Sequence, residues 1–79
     1  MAVTYAGNEA HFGGIVGVED AEALLAWLSE HPQATLDLAD CTHIHAADLQ
    51  VLMAAALTVA EWPHDAALAV WLKSALSRG

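Results

Sequence analysis

Basic residues are almost missing from this chain. Its 79 residues hold two Lys and Arg against ten Asp and Glu, a formal net charge of −8, and both bases, Lys73 and Arg78, stand near its end. Binding nucleic acid takes a basic footprint that releases counterions from phosphate, and holding to an anionic membrane takes basic residues too, so both partner classes are disfavoured. Cysteine is as scarce: Cys41 is alone and cannot close an intramolecular disulfide. The longest apolar run, Val51 to Leu57, is far below the ~20 residues of a membrane span. The opening residues, MAVTYAGNEAHFGG, contain neither a basic nor an apolar signal region, and the chain reads as cytosolic. No Lys-Ser/Thr follows Gly13, Gly14 and Gly17, and their spacing fits no dinucleotide fingerprint, so they read as a bulged strand and a turn.

What is abundant is apolar. A hydrophobic fraction of 57%, much of it Ala and Leu, suits helices packed on a small sheet. A chain this short makes one domain, residues 1–79, with a thin stability margin that association would help. The acidity keeps such a domain in solution and is compatible with a basic protein partner.

Val3–Tyr5 and Ala10–Val16 read as strands joined by a Gly-Asn turn. Asp20 is a good N-cap for the segment DAEALLAWLSEH, which places Ala21, Leu24, Leu25 and Leu28 on one face and is stopped by Pro32; Trp27 falls at the core margin. Ala34, Leu36 and Leu38 alternate with Thr35 and Asp37 as a strand does, whereas Leu49, Leu52, Met53, Ala56, Leu57 and Ala60 recur at helical spacing, predicting a helix from Ala46 to Glu61. The segment after Asp65 matches both a buried strand and a helix; the helical template fits better, giving a helix from Asp65 to Ser77. The expected order is ββαβαα, an α/β domain with helices on a small mixed sheet of three strands.

Chemistry-bearing residues gather in the turn between the third strand and the second helix. Cys41, His43 and His45 alternate, and an extended strand would put all three on one face with ligand types that zinc accepts. The alternative is a polar turn in which Thr42 and the histidines bond backbone at a helix start while Cys41 packs as a small hydrophobe. Cys41 beside a histidine has residue types for thiol catalysis, but alternation on one strand supplies no nucleophile–base geometry and no oxyanion hole. The expectation is no enzyme and no cofactor, with a small metal-binding protein as the rival reading.

The stretch LDLADCTHIHAADLQVLMAA, Leu36 to Ala55, resembles the signature of the STAS family, the sulfate transporter and anti-sigma factor antagonist domains. There a strand of pattern LDLS leads through an isoleucine and an Asp-Ser-Ser-Gly-Leu turn into a helix. The resemblance implies a single small STAS-like domain that docks onto a regulatory kinase, a transporter component or another protein partner. Asp37 matches the strand aspartate, Ile44 the apolar residue before the turn, and Leu49 and Leu52 the buried helix positions. His45 stands at the turn aspartate, Ala46 and Ala47 at the serines, and Asp48 at the glycine. Alanine has no hydroxyl to accept a phosphoryl group, so the family's phosphorylation switch is not expected. The partner-binding residues implied are Thr42, His43, His45, Ala46, Ala47 and Asp48.

Asp48 falls in the first turn of its helix, facing the positive end of the macrodipole, where it stabilises the helix start. Self-association is a further expectation, because the strands carry neither Lys nor Pro and their edges recruit other strands. Three tryptophans also exceed what so small a core can hide. Protonating five histidines would take the charge from −8 to −3, so a homodimer limited by repulsion should strengthen at lower pH.

Overall fold

The alternation of Val3, Tyr5, Ala10 and Phe12 folds into a hairpin, β1 (Val3–Ala6) against β2 (Glu9–Val16), with Ala6 paired to Glu9. The connecting residues are Gly7 and Asn8, and Gly7 takes φ of 58°, a left-handed conformation that glycine adopts without steric cost. Asn8 fastens the turn to the next strand: its Nδ2 donates to the Gln33 carbonyl at 2.7 Å, and its own carbonyl accepts from Thr35 N–H at 2.9 Å. In this computed structural model residues 2–55 and 57–76 are described.

A 3-10 turn, Val18–Asp20, leads into α1 (Ala21–Glu30), followed by β3 (Ala34–Ile44), α2 (Ala46–Ala54), β4 (Leu57–Glu61) and α3 (Ala66–Leu76). The sheet runs β1-β2-β3-β4, with β1–β2 antiparallel and both β2–β3 and β3–β4 parallel. It is a small α/β domain with a mixed sheet, as the hydrophobic patterning implied. The order, however, is ββαβαβα rather than ββαβαα, and the sheet has four strands rather than three.

The difference lies in the helix expected over Ala46–Glu61, which stops at Ala54. Ala55 turns extended, with φ of −102° and ψ of 148°, and Leu57, Val59 and Glu61 pair with Ala34, Leu36 and Asp37 of β3. A short apolar run supports helix or strand equally. Here β-branched Thr58 and Val59 favour the pleat, and the outer edge of β3 has N–H and C=O groups that a strand satisfies and a helix does not. The α3 assignment agrees with the helical reading: Asp65 Oδ1 accepts from Leu68 N–H at 2.9 Å as an N-cap. Ser77, the expected last residue, lies outside the described residues.

Helices α1, α2 and α3 each contribute to one core. Leu24 and Leu28 of α1, Leu49 and Leu52 of α2 and Leu72 of α3 join Val3, Ala10, Phe12, Val16, Leu36 and Leu38 from one face of the sheet. Leu25, expected on the buried face of α1, is instead 52% exposed, because a helix covering a small sheet buries a narrow stripe centred on Leu24 and Leu28. Trp27 does sit at the core margin, with its ring 5.0 Å from Tyr5 and stacked on His31 at 4.3 Å.

Strand β3 is longer than the expected Ala34–Leu38 and carries two irregularities. Pairing passes from His11–Asp37 to Gly13–Asp40, then from Gly14–Cys41 to Ile15–His43, so β3 gains one residue on β2 at each step. These are bulges, and they flank the Gly13-Gly14 pair, where Gly14 adopts φ of 65°. The glycines thus read correctly as marks of a bulged strand.

Candidate functional site

The bulges aim the end of β3. Up to Leu38 its residues alternate between core and open face, but beyond them Cys41 and Ile44 are buried while Asp40, Thr42 and His43 are exposed. An unbroken alternation would have put Cys41, His43 and His45 on one face. Instead the Cys41 side chain enters the core, where its thiol donates to the His43 carbonyl at 3.5 Å, and burial pushes that thiol above its ordinary 9.0, with the charge of Asp48 adding to the effect. The three expected metal ligands are not brought together. Among the described residues no group of three or more His, Cys, Asp or Glu is arranged to hold a metal ion. A buried, raised thiol is also a poor thiolate nucleophile.

His45 organises the helix start. Its backbone N–H donates to the Val16 carbonyl at 2.9 Å, tying the turn to the end of β2, and its carbonyl accepts from Asp48 N–H at 3.0 Å and Leu49 N–H at 3.1 Å. Its ring Nδ1 accepts from Ala47 N–H at 3.0 Å, so His45 is the N-cap of α2 and occupies one of the donors that a helix start leaves free. His45 and the buried Cys41 match the polar turn expected as the alternative to a metal site, whereas Thr42 and His43 make no side-chain bond to backbone among the described residues. Thr42, His43, His45 and Ala46 are exposed around it, and Ala47 is half-buried.

Asp48 is placed differently from the rest of the expected contact surface. It is 0% exposed, so it cannot itself touch a partner, and neither carboxylate oxygen has a hydrogen-bond partner among the described residues. Burial, and next the charge of Asp20, push its pKa from 3.8 to about 6; His45 opposes the rise and Glu19 adds to it. Asp20 is also buried, and its Oδ2 accepts from Gly17 N–H at 3.1 Å instead of capping α1 with its side chain. Tyr5 completes the group: its buried hydroxyl lacks a partner among the described residues, and burial, then Asp20 and Asp48, raise its pKa above 10.0.

Two polar arrangements escaped the sequence reading. One is this Tyr5–Asp20–Asp48 group, assembled from β1, the turn before α1 and the start of α2, whose separation in sequence hides it. The other lies on the open face of the sheet, where His11 Nδ1 is 3.1 Å from Asp37 Oδ2 and Nε2 is 3.3 Å from Asp40 Oδ2. That cluster had a visible signal: His11 and Asp37 are the polar positions of two alternating strands, and parallel pairing sets them opposite each other.

Among the described residues no helix is long and apolar enough to cross a membrane. No protein-family model matches the sequence, and no curated protein matches it either.

Proposed function

We propose that this chain is a non-enzymatic regulatory or adaptor domain that acts by protein–protein docking, similar to anti-sigma factor antagonists but without a serine phosphorylation switch. The observation that carries the reading is the exposure of Thr42, His43, His45 and Ala46 together at the end of a central parallel strand, on a base held by the His45 bonds to Val16 and Ala47. The mouth of a parallel sheet is a common place for binding residues, and loops held by a rigid scaffold carry function. The likeness of Leu36–Ala55 to the STAS signature supports the same surface.

The contact set is then Thr42, His43, His45, Ala46 and the edge of Ala47, with Asp48 acting from beneath by its charge. A phosphoserine at position 46 would add negative charge at the helix start; here Asp48 supplies a fixed carboxylate within the same turn, so docking is not switched by phosphorylation. A regulatory kinase or a transporter component is the class of partner that the resemblance favours.

The test is affinity purification from the native host with mass spectrometry, comparing the natural chain with a His43→Glu/Ala46→Glu variant shown by circular dichroism to be folded. A partner enriched by the first and lost with the second is the expected result. Identical captured proteins would remove this surface from consideration. Phosphopeptide mapping of the same material should find Thr42, the hydroxyl nearest the helix start, unmodified.

A further inference from the structure

An acid at the third position of a helix normally has a partner close by. In a capping box the N-cap side chain covers an early N–H of the helix, and the acid at the third helical position reaches back to accept from the N-cap residue's own N–H. His45 is the N-cap of α2 and Asp48 is the third residue of that helix, so both stand at the spacing of the box. Half of the box is formed: His45 Nδ1 accepts from Ala47 N–H at 3.0 Å. The other half is diverted. His45 N–H donates at 2.9 Å to the carbonyl of Val16, at the end of β2, and neither oxygen of Asp48 has a partner among the described residues.

Two acceptors therefore compete for one donor, and the charge on Asp48 weights the competition. A neutral carboxyl is the form that a dry, unpartnered position tolerates, and it is a weak rival for an N–H. An ionised one accepts bonds about twice as strong as neutral ones, at the end of the helix where the macrodipole favours negative charge. Burial first, and then Asp20, raise the pKa of this carboxyl to about 6; Glu19 adds to the rise and His45 opposes it. Tyr5 of β1 and Cys41 of β3 feel its charge in turn, whereas Glu22 of α1 is exposed and Lys73 of α3 lies over the Trp62 ring. The Tyr5 hydroxyl can supply one donor, but an ionised carboxylate has two oxygens to satisfy.

We propose that the start of α2 is a proton-controlled latch: when Asp48 loses its proton to solvent, His45 N–H passes from the Val16 carbonyl to the Asp48 carboxylate, and the turn over residues 42–47 is unhooked from β2. The hooked form, with Asp48 neutral, is the one described above. The unhooked form completes the capping box, so the helix start survives the exchange. Such an element is bistable because one N–H cannot serve both acceptors fully, and a single proton biases it. Its bearing on a partner rests on the docking reading above. The latch itself belongs to the chain alone, and testing it without a partner keeps failure of the latch apart from failure of that reading.

Nuclear magnetic resonance reads the latch in the folded chain, as the scalar coupling across the hydrogen bond between the His45 backbone nitrogen and the Val16 carbonyl carbon. The coupling should be present at pH 5 and lost at pH 7.5, with a midpoint that follows the Asp48 carboxyl carbon. The His45 amide signal should persist through the change and move downfield, as an N–H bonded to a carboxylate does. Asp48→Asn, which cannot ionise, should keep the coupling at both pH values. His45→Asn retains a capping side chain without a titrating ring, and the coupling at position 45 should still be lost as pH rises. Should Asp48→Asn fail to fold, Asp20→Asn takes its place, and removing that neighbouring charge should lower the midpoint. A coupling that persists at pH 7.5 in the natural chain, an amide signal that vanishes with the coupling, a loss that survives Asp48→Asn, a loss abolished by His45→Asn, or a midpoint that Asp20→Asn leaves unmoved would each overturn the proposal.

Discussion

Two groups of charged residues in this domain have opposite circumstances. On the open face of the sheet, His11 lies between Asp37 and Asp40 with both ring nitrogens engaged and with all three side chains partly exposed. Beneath the start of α2, Asp48 is sealed from water, neither of its carboxylate oxygens has a hydrogen-bond partner among the described residues, and the charges that act on it include two more acids, Asp20 and Glu19. The exposed group has partners it scarcely needs, since solvent would satisfy those atoms. The buried one has none among the described residues and costs stability. A small domain that retains such a carboxylate gives up stability at the turn proposed to dock, and that cost sets the turn apart from the open face.

The largest test of this contrast is Asp48→Asn. The folded pKa of Asp48 lies above its ordinary value, so the unfolded chain ionises first as pH rises. Stability contributed at this site is therefore lost between pH 3.8 and about 6 and stays low above that range. That gap corresponds to about 3 kcal/mol. Asn carries no charge, so the variant should be more stable than the natural chain at pH 8 by up to about that amount, with the difference vanishing near pH 4. Urea unfolding at the two pH values checks it, and an equal effect at both would refute the buried-charge account.

Tyr5→Phe addresses the same group from the other side. Removing a buried hydroxyl that has no partner among the described residues should leave stability unchanged or raise it by about 1 kcal/mol, measured by thermal unfolding; a clear loss would reveal a hydrogen bond to that hydroxyl. Gly14→Ala tests the bulges that turn the end of β3. No atom crowds a Cβ at this position, so only the positive φ opposes the methyl group, and the cost should be about 1 kcal/mol. His11→Ala should have the smallest effect, below about 1 kcal/mol and shrinking further in salt. A loss above ~2 kcal/mol would mean that the open-face cluster is not the weak surface group described above.

Legibility in the sequence followed the range of the forces involved. The hairpin, α1 and α3 were readable because a Gly-Asn turn, the 3.6-residue spacing and the Asp65 cap act within a few residues. The glycines announced a bulge because their backbone freedom is itself local. The candidate turn was readable in composition but not in geometry: Cys41, His43 and His45 look coplanar only while β3 keeps a strict period of two, and the bulges against Gly13 and Gly14 end that alternation.

By itself, then, the sequence determined that this is a small acidic α/β domain, where its hairpin turns, and that its helix-start turn offers no serine for phosphorylation. Only the tertiary structure decided that Leu57–Glu61 is a strand, because the edge of β3 satisfies its backbone groups there. Only it placed Asp48 out of reach of water, Cys41 in the core and His11 between two carboxylates. Burial and pairing depend on which distant segments meet, and local pattern carries no record of those meetings.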